Sequence, residues 1–131
     1  MNLILIDDDP DEAYILRQAL KRIETDYELS YFSDSEAFLS GLGHLKNTDS
    51  LILLDLNMPK INGFEVLEKI KNSDELANIP VVMYSNSNSP QDIELSYKTG
   101  ANSYVRKPQG LTETVEFVAT LINYWKRINK T

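Results

Sequence analysis

Five short apolar runs, separated by segments with helical periodicity, constrain the fold of this chain more than any other feature. They cover residues 3–6, 27–32, 51–54, 81–84 and 102–105. A helical segment follows each run, and this alternation is typical of a parallel sheet covered by helices on both faces. Right-handed crossovers restrict such a chain to a few doubly wound topologies. The 131 residues have the size of one domain, so a single α/β domain is predicted over residues 1–131.

Residues with capping chemistry mark where the predicted helices begin and end. A cap side chain accepts a hydrogen bond from a backbone amide of the first turn, and proline is favoured at the first helical position. The signals are Asp9 before Pro10, Ser33 with Glu36, Asn62 with Glu65, Ser89 before Pro90, and Gly100 after the fourth helix. The fifth helix is predicted over about residues 112–127.

Composition excludes several classes of protein. The chain has no cysteine and one histidine, His44, which excludes disulfides and thiolate-ligated metals and disfavours a histidine-rich zinc site. A net charge of −7 disfavours general binding to nucleic acid phosphates. No apolar run is long enough to span a membrane, and the N-terminus lacks signal-peptide features. We expect a cytoplasmic protein without nucleic-acid or membrane partners, without a further domain after the last helix, and with His44 in a solvated loop.

Acidic side chains follow the first and third predicted strands. Asp7 and Asp8 follow the first strand and Asp55 follows the third, and the carboxyl ends of parallel strands share the edge where doubly wound sheets bind ligands. Neighbouring carboxylates repel unless a proton or a cation joins them, and Mg²⁺ prefers carboxylate and carbonyl oxygens. The pattern therefore favours a Mg²⁺ site, with Asp9 as a helix cap. The alternative is that all of residues 7–9 only cap the first helix and favour its positive end.

Further polar residues are predicted at the same edge. Asp55 could act as a carboxylate nucleophile that forms an acyl phosphate. Asn57 could offer a carbonyl to the metal, Ser85 a hydroxyl to a phosphoryl oxygen, and Lys107 a positive charge to the phosphoryl group or to Asp55. A cis bond before Pro108 could aim Lys107 inward. Each residue taken alone is explained as well by a turn, a polar loop or a solvated lysine, and only their joint order indicates phosphoryl chemistry.

In that order, the segments resemble a bacterial response-regulator receiver domain over essentially the whole chain. The matching segments are Leu5-Ile6-Asp7-Asp8-Asp9, Leu53-Leu54-Asp55-Leu56-Asn57-Met58-Pro59 with Asn62-Gly63, Pro80-Val81-Val82-Met83-Tyr84-Ser85, and Gly100-Ala101 with Tyr104-Val105-Arg106-Lys107-Pro108. The resemblance implies a stand-alone, CheY-like receiver with a flavodoxin-like sheet of strand order 2-1-3-4-5.

The resemblance also implies the roles of the site residues. Asp55 is the phosphoacceptor and takes a phosphoryl group from a sensor histidine kinase or a phosphotransfer protein. The implied Mg²⁺ ligands are Asp7, Asp8, Asp55 and the backbone carbonyl of Asn57. Ser85 and Lys107 contact the phosphoryl oxygens, which fits the importance of charge neutralisation in phosphoryl transfer. The phosphorylated protein then acts on an unidentified downstream protein through direct contact.

The family also implies a switch and a set of tuning residues. Ser85 moves inward on phosphorylation, and the aromatic Tyr104 on the fifth strand passes from exposed to buried. Asn57 and Ser87, two residues beyond the acceptor and the hydroxyl residue, tune dephosphorylation, and we predict a phosphorylated lifetime of minutes or less. Asn86 departs from the small residue usual in the family, and either narrows access to the acceptor or adds a hydrogen bond.

Two other functions are weighed against the phosphorylation switch. A receiver-like scaffold would bind partners without phosphorylation, and Asn86 leaves this open. An aspartate-nucleophile phosphatase would carry Asp-x-Asp after the first strand, whereas here Asp55-Leu56-Asn57 follows the third. The fifth helix has more apolar surface than one core stripe needs, at Phe117, Leu121, Tyr124 and Trp125. That surface either covers the sheet or forms a docking face, and a homodimer through the fourth helix, fifth strand and fifth helix is left open.

Overall fold

The computed structural model describes residues 2–41 and 49–128, so the prediction for His44 lies outside the described residues. The strands are β1 (Asn2–Ile6), β2 (Glu28–Phe32), β3 (Ser50–Leu54), β4 (Val81–Ser85) and β5 (Ser103–Arg106). The helices are α1 (Pro10–Lys21), α2 (Ser35–Ser40), α3 (Gly63–Lys71), α4 (Pro90–Thr99) and α5 (Gly110–Asn123). All strand pairs are parallel and the order is β2-β1-β3-β4-β5. The predicted flavodoxin-like α/β fold and its strand order are confirmed.

Alternate residues of the strands supply two apolar layers, one on each face of the sheet. Leu3 and Leu5 of β1 point into a core formed with α1 and α5, whereas Ile4 and Ile6 point into a core formed with α2 and α3. A strand buried on both faces has to be apolar throughout, which explains why β1, β3 and β4 are continuous apolar runs in the sequence. The register places Ile6 beside Phe32 and Leu54, so neighbouring strands end together at the carboxyl edge.

Most predicted caps are confirmed. Asp9 accepts a hydrogen bond from the Asp11 amide at 2.9 Å, and Asn62 accepts one from the Glu65 amide at 3.0 Å. Ser89 caps α4 through the Asp92 amide, and Gly100 ends that helix in the left-handed region at φ 117°. The prediction of Ser33 as the cap of α2 was wrong. Asp34 is the cap, because the helix begins at Ser35, and the Asp34 carboxylate accepts from the Ala37 amide at 2.8 Å.

The predicted helix over about residues 112–127 is confirmed, although its last turn is not α-helical. The α-helix begins at Gly110 and ends at Asn123, and a π-helical turn follows over Tyr124–Ile128. Periodicity in the sequence does not resolve such a change in backbone hydrogen bonding. The described residues contain no cis peptide bond, so the bond before Pro108 is trans and the expectation of a cis bond was wrong.

Candidate functional site

The carboxyl edge of the sheet brings Asp7, Asp55, Ser85 and Lys107 together. Each is the last residue of its strand or the first one after it. Backbone bonds continue the strand ladder into this edge, because the Asp55 amide donates to the Ile6 carbonyl at 2.9 Å and the Lys107 amide donates to the Ser85 carbonyl at 2.8 Å. All four side chains are buried. The sheet therefore fixes the positions from which the four side chains reach the site.

Lys107 holds the centre of the site between two carboxylates. Its Nζ lies 2.9 Å from Oδ2 of Asp7 and 3.6 Å from Oδ1 of Asp55. Among the described residues, Oδ2 of Asp7 is approached by no other hydrogen-bond donor, whereas Oδ1 accepts from the Asp9 amide at 2.9 Å. The two acids and the lysine form a buried charged cluster in which one positive charge faces two negative charges.

Three carboxylates at this edge offer oxygen atoms to a cation. Oxygens of Asp7, Asp8 and Asp55 all lie within 4.8 Å of one another. Asp7 and Asp55 are buried, whereas Asp8 is exposed, which leaves the cluster open to solvent on one side. A set of hard oxygen ligands with room for water is what Mg²⁺ requires. These residues therefore fit a Mg²⁺ ion.

The charges in this cluster shift the protonation of its members. Burial and the nearby charge of Asp7 raise the pKa of Asp55 to about 6, although Lys107 and the Asn57 amide oppose the increase. Burial also raises the pKa of Asp7. Burial alone would lower the pKa of Lys107, but its hydrogen bond to Asp7 and the charges of Asp7 and Asp55 outweigh that effect and leave the pKa raised. At neutral pH the site thus contains an ionised Asp55 and a charged lysine.

A tight turn after Asp55 fixes the position of its carboxylate. The Asn57 amide points at Oδ1 of Asp55, 3.4 Å away, and the Gly63 amide donates to the Leu56 carbonyl at 2.8 Å. A Cβ atom at Gly63 would lie 2.5 Å from the Asp55 carbonyl oxygen and 2.7 Å from the Cα atom of Leu56. Only glycine permits this approach, so the start of α3 closes directly onto the backbone of Asp55 and Leu56. The side chain of Asn57 itself is exposed.

A chain of hydrogen bonds connects Ser85 to Tyr104. The Ser85 hydroxyl accepts from the Ser87 amide at 3.0 Å, and the Tyr104 hydroxyl donates to the Ser87 carbonyl at 2.9 Å. The Ser87 hydroxyl donates to the carboxylate of Asp92 in α4 at 2.6 Å. Tyr104 is half-buried, and Asn86 is exposed. The two predicted switch residues thus contact the same residue of the β4–α4 loop.

Sequence reasoning missed three residues around this site. The Tyr97 hydroxyl accepts from the Tyr104 amide on the outer edge of β5 at 3.1 Å. Tyr84 is wholly buried, and its ring centre lies 5.8 Å from the Lys107 ammonium. Burial raises the pKa of Glu12, the charge of Lys107 lowers it and the charge of Asp7 raises it, and the net result is a raised pKa. A tyrosine in an apolar strand reads as core, so the only sequence signal for Tyr84 was its place next to Ser85.

A groove runs between β5 and α5 beside the site. Its lining includes Val105, Arg106, Phe117, Leu121 and Trp125. Leu121 is buried and Trp125 packs against the core, whereas Tyr124 is 43% exposed. The apolar excess predicted for α5 is therefore divided between the core and the surface. Within the described part of the chain, no helix is long and apolar enough to cross a membrane.

Comparison with known proteins finds a matching family and similar sequences. Residues 3–119 match the family model described as a response regulator receiver domain. The response regulator Rcp1 of Synechocystis is 34% identical over 94% of this chain and 87% of its own length. A probable methanogenesis regulatory protein, FilR2 of Methanothrix harundinacea, is 31% identical over 98% of this chain and 85% of its own.

Two solved structures of response regulators are similar to the structure of this chain. The Mn²⁺-bound form of Rcp1 aligns with a TM-score of 0.81 at 30% identity, over 98% of this chain and 96% of that one. The phosphorylated cyanobacterial phytochrome response regulator RcpA aligns with a TM-score of 0.85 at 30% identity and the same coverage.

Proposed function

This chain belongs to the response regulator receiver family, and on that premise we propose that it is a signalling switch controlled by phosphorylation of Asp55. Receiver domains of response regulators act in phosphorylation-activated two-component signalling. The observation that carries the assignment of Asp55 is its buried carboxylate, 3.6 Å from the Lys107 ammonium and within 4.8 Å of the oxygens of two further acids. The single domain of this switch spans residues 1–131.

The proposed reaction transfers a phosphoryl group from a phosphohistidine to Asp55. A carboxylate oxygen of Asp55 attacks the phosphorus atom, a P–O bond forms, and the P–N bond to the imidazole breaks. The bonding electrons return to the imidazole nitrogen, and because the ring carries a proton on its other nitrogen, it leaves as neutral imidazole. Because the pKa of Asp55 is about 6, its carboxylate is mostly ionised at neutral pH and is available as the nucleophile.

The surrounding residues neutralise charge during this transfer. Asp7, Asp8, Asp55 and the backbone carbonyl of Asn57 would hold Mg²⁺, which supplies positive charge to the phosphoryl oxygens. The Lys107 ammonium, 3.6 Å from Oδ1 of Asp55, faces the phosphoryl group from a buried position, where a positive charge stabilises developing negative charge most strongly. The Ser85 hydroxyl, now accepting from the Ser87 amide, turns to donate to a phosphoryl oxygen.

The hydrogen bonds around Ser87 supply the proposed route from Ser85 to the surface. When the Ser85 hydroxyl turns to the phosphoryl group, the Ser87 amide loses its acceptor and the loop has to rearrange. Ser87 also forms hydrogen bonds with the Tyr104 hydroxyl and the Asp92 carboxylate. A rearrangement of the loop therefore shifts the conformations of Tyr104 and α4 together. Asn57, Asn86 and Ser87 are the proposed tuning residues for the rates of phosphorylation and dephosphorylation.

The proposed partners are proteins, as is typical of receiver domains. A sensor histidine kinase or phosphotransfer protein donates the phosphoryl group, and a downstream protein reads the surface of α4, β5 and α5. The same surface could join two copies into a homodimer. Nucleic acid and membrane are not among the proposed partners, and a cytoplasmic location stays a prediction. The chain is not proposed to be an enzyme beyond catalysing its own phosphorylation and dephosphorylation.

Phosphoryl uptake tests this function. The purified chain is incubated with acetyl phosphate and Mg²⁺, and its intact mass is measured. We expect one added phosphoryl group in the wild type and in the control Asp74→Asn, where an exposed aspartate is replaced, and none in Asp55→Asn. Pull-downs with and without beryllofluoride, a phosphoryl mimic, then identify proteins that bind only the activated form. Capture that Asp55→Asn leaves unchanged would favour a phosphorylation-independent scaffold instead.

A further inference from the structure

Tyr84 occupies an unusual position beside the proposed site. It precedes Ser85 in β4, and its side chain is wholly buried on the face of the sheet that α1 and α5 cover. Its ring stacks on Phe117 of α5, with centroids 5.4 Å apart and planes inclined by 22°. The Lys107 ammonium lies over the Tyr84 ring, 5.8 Å from its centre. The lysine thus has an aromatic neighbour in addition to its two carboxylates.

The face of an aromatic ring attracts a cation within about 6 Å, and the attraction grows when water is excluded. The Lys107 ammonium has carboxylates at 2.9 Å and 3.6 Å, so it can pair more closely with either Asp7 or Asp55. A flexible four-carbon side chain does not fix that choice by itself. The face of the ring adds an attraction from the apolar side, without a further negative charge that would pull the ammonium away from both acids.

We propose that the aromatic ring of Tyr84 is a positioning element for Lys107, and holds its ammonium where it meets the phosphoryl group on Asp55. This inference rests on the proposed function. The role belongs to the ring and not to the hydroxyl, because the hydroxyl has no hydrogen-bond partner among the described residues. The stack with Phe117 fixes the plane of the ring. A purely structural role would require only the volume of the side chain.

Fluorinated rings separate these two roles. Fluorine withdraws electron density from the face of the ring with little change in shape, and so weakens the attraction for a cation. The rate of phosphoryl uptake from acetyl phosphate at saturating Mg²⁺ is measured for the wild type, for Tyr84→Phe, and for Tyr84→Phe chains with increasing ring fluorination. The control places the same fluorinated phenylalanines at Phe38, which is wholly buried in the core on the opposite face.

The expected results are specific to the ring at position 84. Tyr84→Phe should keep a rate within about twofold of the wild type, because no hydrogen bond is lost. Full fluorination at this position should slow uptake by about fivefold, the size of one cation–π contact, whereas Mg²⁺ affinity stays at the Tyr84→Phe level. Fluorination at Phe38 should leave the rate unchanged.

Failure of this inference is distinguishable from failure of the proposed function. A wild type that takes up no phosphoryl group contradicts the function itself. A wild type that is phosphorylated, with a rate independent of fluorination at position 84, overturns only the role of the Tyr84 ring. A large loss of rate in Tyr84→Phe would likewise overturn it, because the hydroxyl would then be the group that acts.

Discussion

Replacing Asp55 with asparagine should stabilise the unphosphorylated chain at neutral pH. The buried carboxylate of Asp55 lies near Asp7 and Asp8, and its pKa rises from the ordinary value of 3.8 to about 6. A carboxyl group whose pKa is raised by folding binds its proton more tightly in the folded chain. Stability therefore falls as pH rises from 3.8 to about 6, and the full cost is present above that range. Asparagine has nearly the same shape but carries no charge.

The magnitude follows from the pKa. At 1.36 kcal/mol per pKa unit, a rise from 3.8 to about 6 corresponds to about 3 kcal/mol. Water reaches the edge of the sheet and screens part of this cost, so about half is a reasonable expectation. The favourable contact with Lys107, 3.6 Å away, is already part of this pKa. We expect the free energy of unfolding to increase by about 1.5 kcal/mol above pH 7.

Urea unfolding followed by circular dichroism measures this difference. The wild type, Asp55→Asn and the control Asp74→Asn are compared at pH 7.5 and at pH 4, with a chelator present to remove Mg²⁺. Asp74 is exposed, so its replacement reports the general effect of losing one negative charge. The gain in Asp55→Asn should shrink at pH 4, where the wild-type carboxyl group is protonated in the folded chain. An equal gain at both pH values, or none at pH 7.5, would refute the electrostatic reasoning.

Three further outcomes are expected. Mg²⁺ affinity, measured by calorimetry, should fall about tenfold in Asp8→Asn as one oxygen ligand is lost, and should also fall below pH 6 as Asp55 takes up a proton. Gly63→Ala should lower the free energy of unfolding in urea by about 3 kcal/mol and impair phosphoryl uptake, because its Cβ would meet rigid backbone. In the control Gly41→Ala the atom nearest to the added Cβ lies 3.3 Å away. An equal loss of stability in the two variants would contradict this reasoning. The phosphorylated form should decay within minutes when the phosphodonor is removed in Mg²⁺, and survival for many hours would contradict the tuning assigned to Asn57 and Ser87.

Features set by local chemistry were predictable from the sequence. Asp9 before Pro10 and Asn62 with Glu65 are caps because a short polar side chain reaches the free amides of the first turn, whatever the rest of the chain does. The continuous apolar runs predicted a sheet buried on both faces, which the structure confirms. The place of Asp7, Asp55, Ser85 and Lys107 at one edge followed from the rule for parallel strands.

Features that depend on the exact phase or on side-chain direction were not predictable. Ser33 and Asp34 both have capping chemistry, and only the phase of the first helical turn decides between them. Nothing in the sequence indicates that Lys107 lies closer to Asp7 than to Asp55, because the choice depends on distances across three strands. For the same reason the contact of Lys107 with the Tyr84 ring is visible only in the folded chain.

The central claim is that Asp55 accepts the phosphoryl group, and locating the modification tests it most directly. After incubation with acetyl phosphate and Mg²⁺, borohydride reduces an aspartyl phosphate to homoserine, which peptide mass spectrometry can place on the sequence. We predict homoserine at position 55, and none when Mg²⁺ is removed by a chelator. Homoserine at Asp7 or Asp8 instead, or an unmodified Asp55 in a chain that has gained a phosphoryl group, would contradict the account.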